Sequence, residues 1–183
     1  MTQLLARMAN WKFILPSLLA FLYCLYLFQI YGERLNTLAG EPAPIIDVRP
    51  NYNAEEIKAF FTSIKTEGRA IHQYITGVVD MIFPFAYGFL FILLSAFFLK
   101  RITSSDSKWM YLSLVPLLLM IVDYVENFNT LELLRAYPDL SAEMVDSASQ
   151  ITGIKATLTS VSMGLPLVLG VIWLIQWIRK RNN

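Results

Sequence analysis

Residues 68–100, GRAIHQYITGVVDMIFPFAYGFLFILLSAFFLK, decide the fold class. The second half, Met81 to Leu99, is about 19 residues without a charge, enough as a helix to cross roughly 30 Å of hydrocarbon. The first half places Arg69, Gln73, Thr76 and Asp80 at helical steps, with Tyr87 one turn past Pro84, so that they share one face. This pattern predicts a membrane helix with a polar stripe ending in a carboxylate. An acid at that depth is costly, which makes Asp80 a candidate functional position.

Composition extends the reading to the whole chain. Of 183 residues, 56% are hydrophobic and 16% charged, against about 25% charged in an ordinary soluble domain. Mean hydropathy is +0.50. The apolar residues gather into long runs that predict spans at roughly 11–31, 71–99, 109–128 and 153–178. The expected fold is an all-α integral membrane protein, a single four-span bundle over residues 1–183 with outer loops 32–70 and 129–152. The run from Phe13 to Tyr31 is longer than a secretory h-region and lacks an immediate small-x-small site, so it reads as an uncleaved first span.

Charge places the ends. Arg7 and Lys12, then Lys100, Arg101 and Lys108, then Arg179, Lys180 and Arg181 flank the spans on one side, with Asp106 the one acid among them. The positive-inside rule puts both termini and the 100–108 link in the cytoplasm, and the two longer loops outside. Trp11, Trp109, Trp173 and Trp177 fall near that same boundary, as an aromatic belt does.

The first outer loop opens with AGEPAPIIDVRPNYN, where Pro42, Pro44 and Pro50 argue against regular structure. NAEEIKAFFTSIK then predicts a short amphipathic helix, with Asn53 as N-cap and Glu56 completing a capping box. Its apolar face (Ile57, Phe60, Phe61, Ile64) would rest on the membrane, cap the bundle or receive a partner protein.

The polar side chains within the spans carry the candidate site. Asp123 lies about 22 Å along the third span from Lys108, and Asp123, Glu126, Asn127 and Thr130 share one face. The fourth span offers Thr152, Lys155, Thr159 and Ser162; the first ends with Tyr23, Tyr26 and Gln29. All lie in the predicted outer halves, as expected of helices lining one polar pocket. Pro84 and Pro166 would free the carbonyls of Asp80 and Ser162 at that level, either presenting acceptors to a ligand as broken helices do in transporters or as prolines of the kind common in membrane helices. Arg69 and Lys155 are the cations available to offset Asp80, Asp123 and Glu126. One outcome is an internal ion-pair network that registers the helices, completed by Tyr74, Tyr87 and Asn127. Another is a metal or proton site at Asp80, Asp123 and Glu126, with His72 as a further ligand or acid-base partner. His72 reads as a solvated residue at a helix end, and Cys24, the lone cysteine, as inert packing. No cofactor motif is evident, and no basic-aromatic run indicates nucleic acid.

The pattern Gly68, Arg69, His72, Tyr74, Asp80, Pro84, Tyr87 resembles that of an uncharacterised family of small four-span bacterial membrane proteins, as do Lys155, Thr157 and Thr159. The resemblance covers about half the chain. It implies a topology, in a bacterial inner membrane, and no activity. The trio Asp123, Glu126 and Asn127 is similar to intramembrane acids in sterol-isomerase-like bundles. Three functional expectations follow. The first is an outward-facing pocket for an ion, a polar ligand or a lipid headgroup, or a support for a membrane complex with another protein or a second copy. The second is an enzyme on a lipid-like substrate, with Asp80 or Glu126 as acid/base. The third is a small cation- or proton-coupled carrier.

Overall fold

The computed structural model describes residues 1–40, 49 and 51–182. All regular structure among the described residues is helical, and no strand occurs among them. In chain order the elements are α1 (Thr2–Met8), α2 (Trp11–Ala39), α3 (Ala54–Ser63), α4 (Lys65–Tyr74), a π-helical turn (Ile75–Val79), α5 (Asp80–Ile102), a 3₁₀ segment (Lys108–Leu114), α6 (Val115–Ala136) and α7 (Ala142–Asn182). Four continuous helical stretches are long and apolar enough to cross a membrane: Trp11–Ala39, Lys65–Ile102, Lys108–Ala136 and Ala142–Asn182.

These stretches outrun the hydrophobic spans. α2 continues eight residues past Tyr31 through GERLNTLA, and α7 begins well before residue 153. Hydropathy marks where a helix is apolar, whereas backbone hydrogen bonding continues through any run free of breakers. Pro42, Pro44 and Pro50, on which the expectation of an irregular loop rested, lie outside the described residues.

The chain divides into two compact units. The first comprises Met1–Phe21, Phe85–Met120 and Leu158–Asn183. Within it α1 is tied down by Lys100, whose ammonium donates to the carbonyls of Ala6, at 3.0 Å, and Ala9. A cation thereby satisfies carbonyls that a helix C-terminus leaves unpaired. Gln3 Nε2 donates to Asp106 Oδ1 at 2.7 Å. Asn10 Oδ1 accepts from the amide of Lys12 at 2.9 Å and so starts α2. At Gly88 a Cβ would lie 2.1 Å from the sulfur of Met120, so the glycine is what admits the α6 side chain against α5.

The second unit comprises Leu22–Pro84 and Ile121–Thr157. Its core gathers Leu35, Ile57, Phe60, Phe61, Ile64, Ile75, Leu133, Val145 and Ala148. The apolar face of α3 is therefore spent inside the protein and is not offered to lipid or a partner. Helix α3 starts with a capping box: Asn53 Oδ1 accepts from Glu56 N at 3.0 Å, and Glu56 Oε2 accepts from Asn53 N at 2.9 Å. It turns sharply into α4 at Lys65, whose φ of +58 is left-handed. Three residues on, a Cβ on Gly68 would stand 2.6 Å from Ile64 Cβ, so only glycine fits beneath this corner.

Candidate functional site

The polar site lies within the second unit, where α6 presents Asp123, Glu126, Asn127 and Thr130 on one buried face. Asp123 is 1% exposed and Glu126 0%. From α7, Lys155 reaches both: its Nζ lies 3.0 Å from Asp123 Oδ1 and donates to Glu126 Oε2. One ammonium thus faces two carboxylates. With both acids ionised the trio carries one excess negative charge, and burial makes that charge expensive.

Asp80 joins through its backbone. Pro84 has no N–H, so the carbonyl of Asp80 loses its intrahelical donor. Asn127 replaces it, its Nδ2 donating to Asp80 O at 2.7 Å. The next carbonyl, Met81, accepts from Tyr124 Oη at 3.1 Å. The kink is thus sealed by two side chains of α6, and the freed oxygen expected to face a ligand is taken. Because that carbonyl only accepts, it fixes which end of the Asn127 carboxamide is nitrogen. The other end, Oδ1, is buried and accepts no hydrogen bond among the described residues. Immediately before Asp80 the backbone makes its π-helical turn, a distortion that recurs at functional sites. The Asp80 side chain is 3% exposed.

Other candidates go elsewhere. Arg69 was expected to offset the acids. Instead its guanidinium donates to Phe61 O at 2.8 Å and Thr66 Oγ1 at 3.1 Å, and lies 4.7 Å from the ring centre of Tyr137. The carbonyls left at the end of α3 and the face of an aromatic ring capture it first. Gln73 is exposed, and Tyr74, 44% exposed, sets its ring 5.2 Å from that of Tyr31. Tyr23 and Tyr26 are exposed as well, so the first span brings no tyrosine to the site. Tyr87 is buried with its ring 5.9 Å from that of Phe91, and Thr159, four residues past Lys155 on α7, is half-buried.

His72 is not solvated. It is fully buried, edge-on to the rings of Phe60 and Phe61, with Nδ1 3.2 Å from Thr76 Oγ1. Sequence reading missed this because the burial comes from α3 folding back over α4, which no local spacing reveals. Tyr124 was missed too, although it stands three residues before Asn127, a spacing that shares a helix face. Cys24 is buried and free.

Among the described residues no group of three or more His, Cys, Asp or Glu side chains is placed to hold a metal ion, and Asp80, Asp123 and Glu126 form none. Compared with protein-family models, curated proteins and solved structures, the chain finds no match in any of the three.

Proposed function

We propose that this chain is a four-span bacterial inner-membrane protein, both termini cytoplasmic, whose site near the outer face binds a small monovalent cation, either a proton or an alkali-metal ion. The reading rests on one observation: a single ammonium, that of Lys155, contacts two buried carboxylates, Asp123 and Glu126. A bound cation would balance the second carboxylate of this trio, and Asn127, on the same buried stretch of α6, offers an Oδ1 that accepts no hydrogen bond among the described residues. A lipid headgroup or an enzyme's substrate would need an opening at the acids, and the burial of Asp123 and Glu126 argues against one.

The test is thermal unfolding of the purified chain in detergent, at a series of pH values and with Na⁺, K⁺ or choline at constant ionic strength. A ligand bound only by the folded state raises its stability with concentration. The expected result is a melting temperature that rises with one of these cations, or with falling pH, and a response flattened in Glu126→Gln. A variant and wild type that respond alike to all four would overturn the proposal.

A further inference from the structure

The 3₁₀ segment of the first unit holds a feature unrelated to the buried acids. With three residues per turn, a 3₁₀ helix stacks side chains i and i+3 into straight rows, whereas an α-helix staggers them. Lys108 and Tyr111 form one such row; Trp109, Leu112 and Val115 form the next. These five residues line an open groove of about 390 Å³. At about 2 Å of rise per residue the rows run roughly 14 Å from Lys108 to Val115. The walls are apolar, and the cation stands at one end.

That cation is uncommitted. Lys100 is engaged by the carbonyls of Ala6 and Ala9, and Arg101 by the carbonyl and ring of Phe97. Lys108 is exposed and makes no hydrogen bond or ion pair among the described residues. The one nearby acid, Asp106, accepts from Gln3. Trp109 is 64% exposed, and a tryptophan beside a lysine at the end of a span is the pairing found where hydrocarbon meets headgroups.

We infer that this groove binds one anionic phospholipid, its phosphate at Lys108 and an acyl chain between the rows of Tyr111 and Leu112. Charge complementarity selects the anionic headgroup, and the apolar walls require the chain. A soluble phosphate supplies the charge without the chain, and in a zwitterionic lipid the headgroup's own cation offsets the phosphate that Lys108 would hold.

The test uses the full chain in detergent, titrated with phosphatidylglycerol, with phosphatidylcholine of the same acyl chains, and with glycerol phosphate. Binding is read by native mass spectrometry and by the lipid-induced rise in melting temperature. The expected order places phosphatidylglycerol about fivefold tighter than phosphatidylcholine, the contribution of one lysine near a charged headgroup, with glycerol phosphate not binding. Lys108→Gln, which removes no internal contact, should keep the lipid-free melting temperature and abolish the preference. Leu112→Ser should weaken both lipids. Equal binding of the two lipids, a preference that survives Lys108→Gln, or a preference lost equally in the control Lys12→Gln would each overturn the inference.

Discussion

A single ammonium sets what the charge cluster can lose. Removing Lys155 takes away the ammonium that Asp123 and Glu126 share, and breaking a buried ion pair by removing one partner costs about 3–5 kcal/mol. Lys155→Met should therefore unfold at markedly lower denaturant or temperature. Adding Glu126→Gln to it removes one of the two charges and should recover part of the loss. Equal stability of the single and double variants would show that the acids do not repel. At the corner between α3 and α4 the expected change has the opposite sign. Lys65 is exposed with φ +58, a conformation that costs an L-residue about 1–2 kcal/mol and glycine little. Lys65→Gly should raise stability by roughly 0.5–1 kcal/mol in chemical denaturation, the gain trimmed by glycine's extra freedom when unfolded, and Lys65→Val should lower it. Charge partners are only partly legible from sequence. Lys155 was legible as the partner of the α6 acids, because an ammonium on a buried helix face has few alternatives. Arg69 was not, because the carbonyl that captures it belongs to Phe61, eight residues back on a helix that returns against it.

The joint between α5 and α6 shows how one element repairs another. Proline removes a donor from α5, and Asn127 on α6 supplies one to the same oxygen. Losing that donor should cost about 1–3 kcal/mol in Asn127→Leu, the penalty of a buried carbonyl left unpaired. In a Pro84→Ala background the helix regains its own N–H to Asp80, so the same substitution should cost under about half as much. Additive losses in that double-mutant cycle would separate Asn127 from the kink. The proline and the freed oxygen were legible in the sequence; the identity of the donor was not, because it depends on how α6 is rotated against α5. Helix α3 teaches the same lesson. Its boundaries and its Asn53 cap follow from NAEEIKAFF, but amphipathicity alone does not say what covers the apolar face. Here the face meets Leu35, Ile75 and Leu133. Phe61→Ser should therefore cost about 3–5 kcal/mol as a core truncation, measured as lost thermal stability, where a partner-docking face would tolerate it.

Across the whole molecule, the distribution of exposed apolar side chains argues for a lipid environment. In the most apolar stretch of Lys65–Ile102, 56% of residues are buried, against 17% in the corresponding stretches of Trp11–Ala39 and Ala142–Asn182. The helix quoted first in the sequence is thus the most enclosed, while the first and last turn Leu15, Leu19, Leu167 and Val168 outward. In water such surfaces would drive aggregation; in hydrocarbon they carry no penalty. This much was legible because hydrophobic length is a property of the sequence itself. Which end faces the cytoplasm is a matter of charge. Translocating a loop rich in Lys and Arg is disfavoured, so the 100–108 link and the basic C-terminal end of α7 should stay inside, and α3 should be outside. Cysteine labelling in intact cells decides it. In a Cys24→Ala background, Lys58→Cys on the exposed face of α3 should react with a membrane-impermeant maleimide, and Ser105→Cys should react only once the cells are opened. The reversed pattern would place the Lys155 cluster near the cytoplasmic face, so its cation would come from within the cell and not from the periplasm.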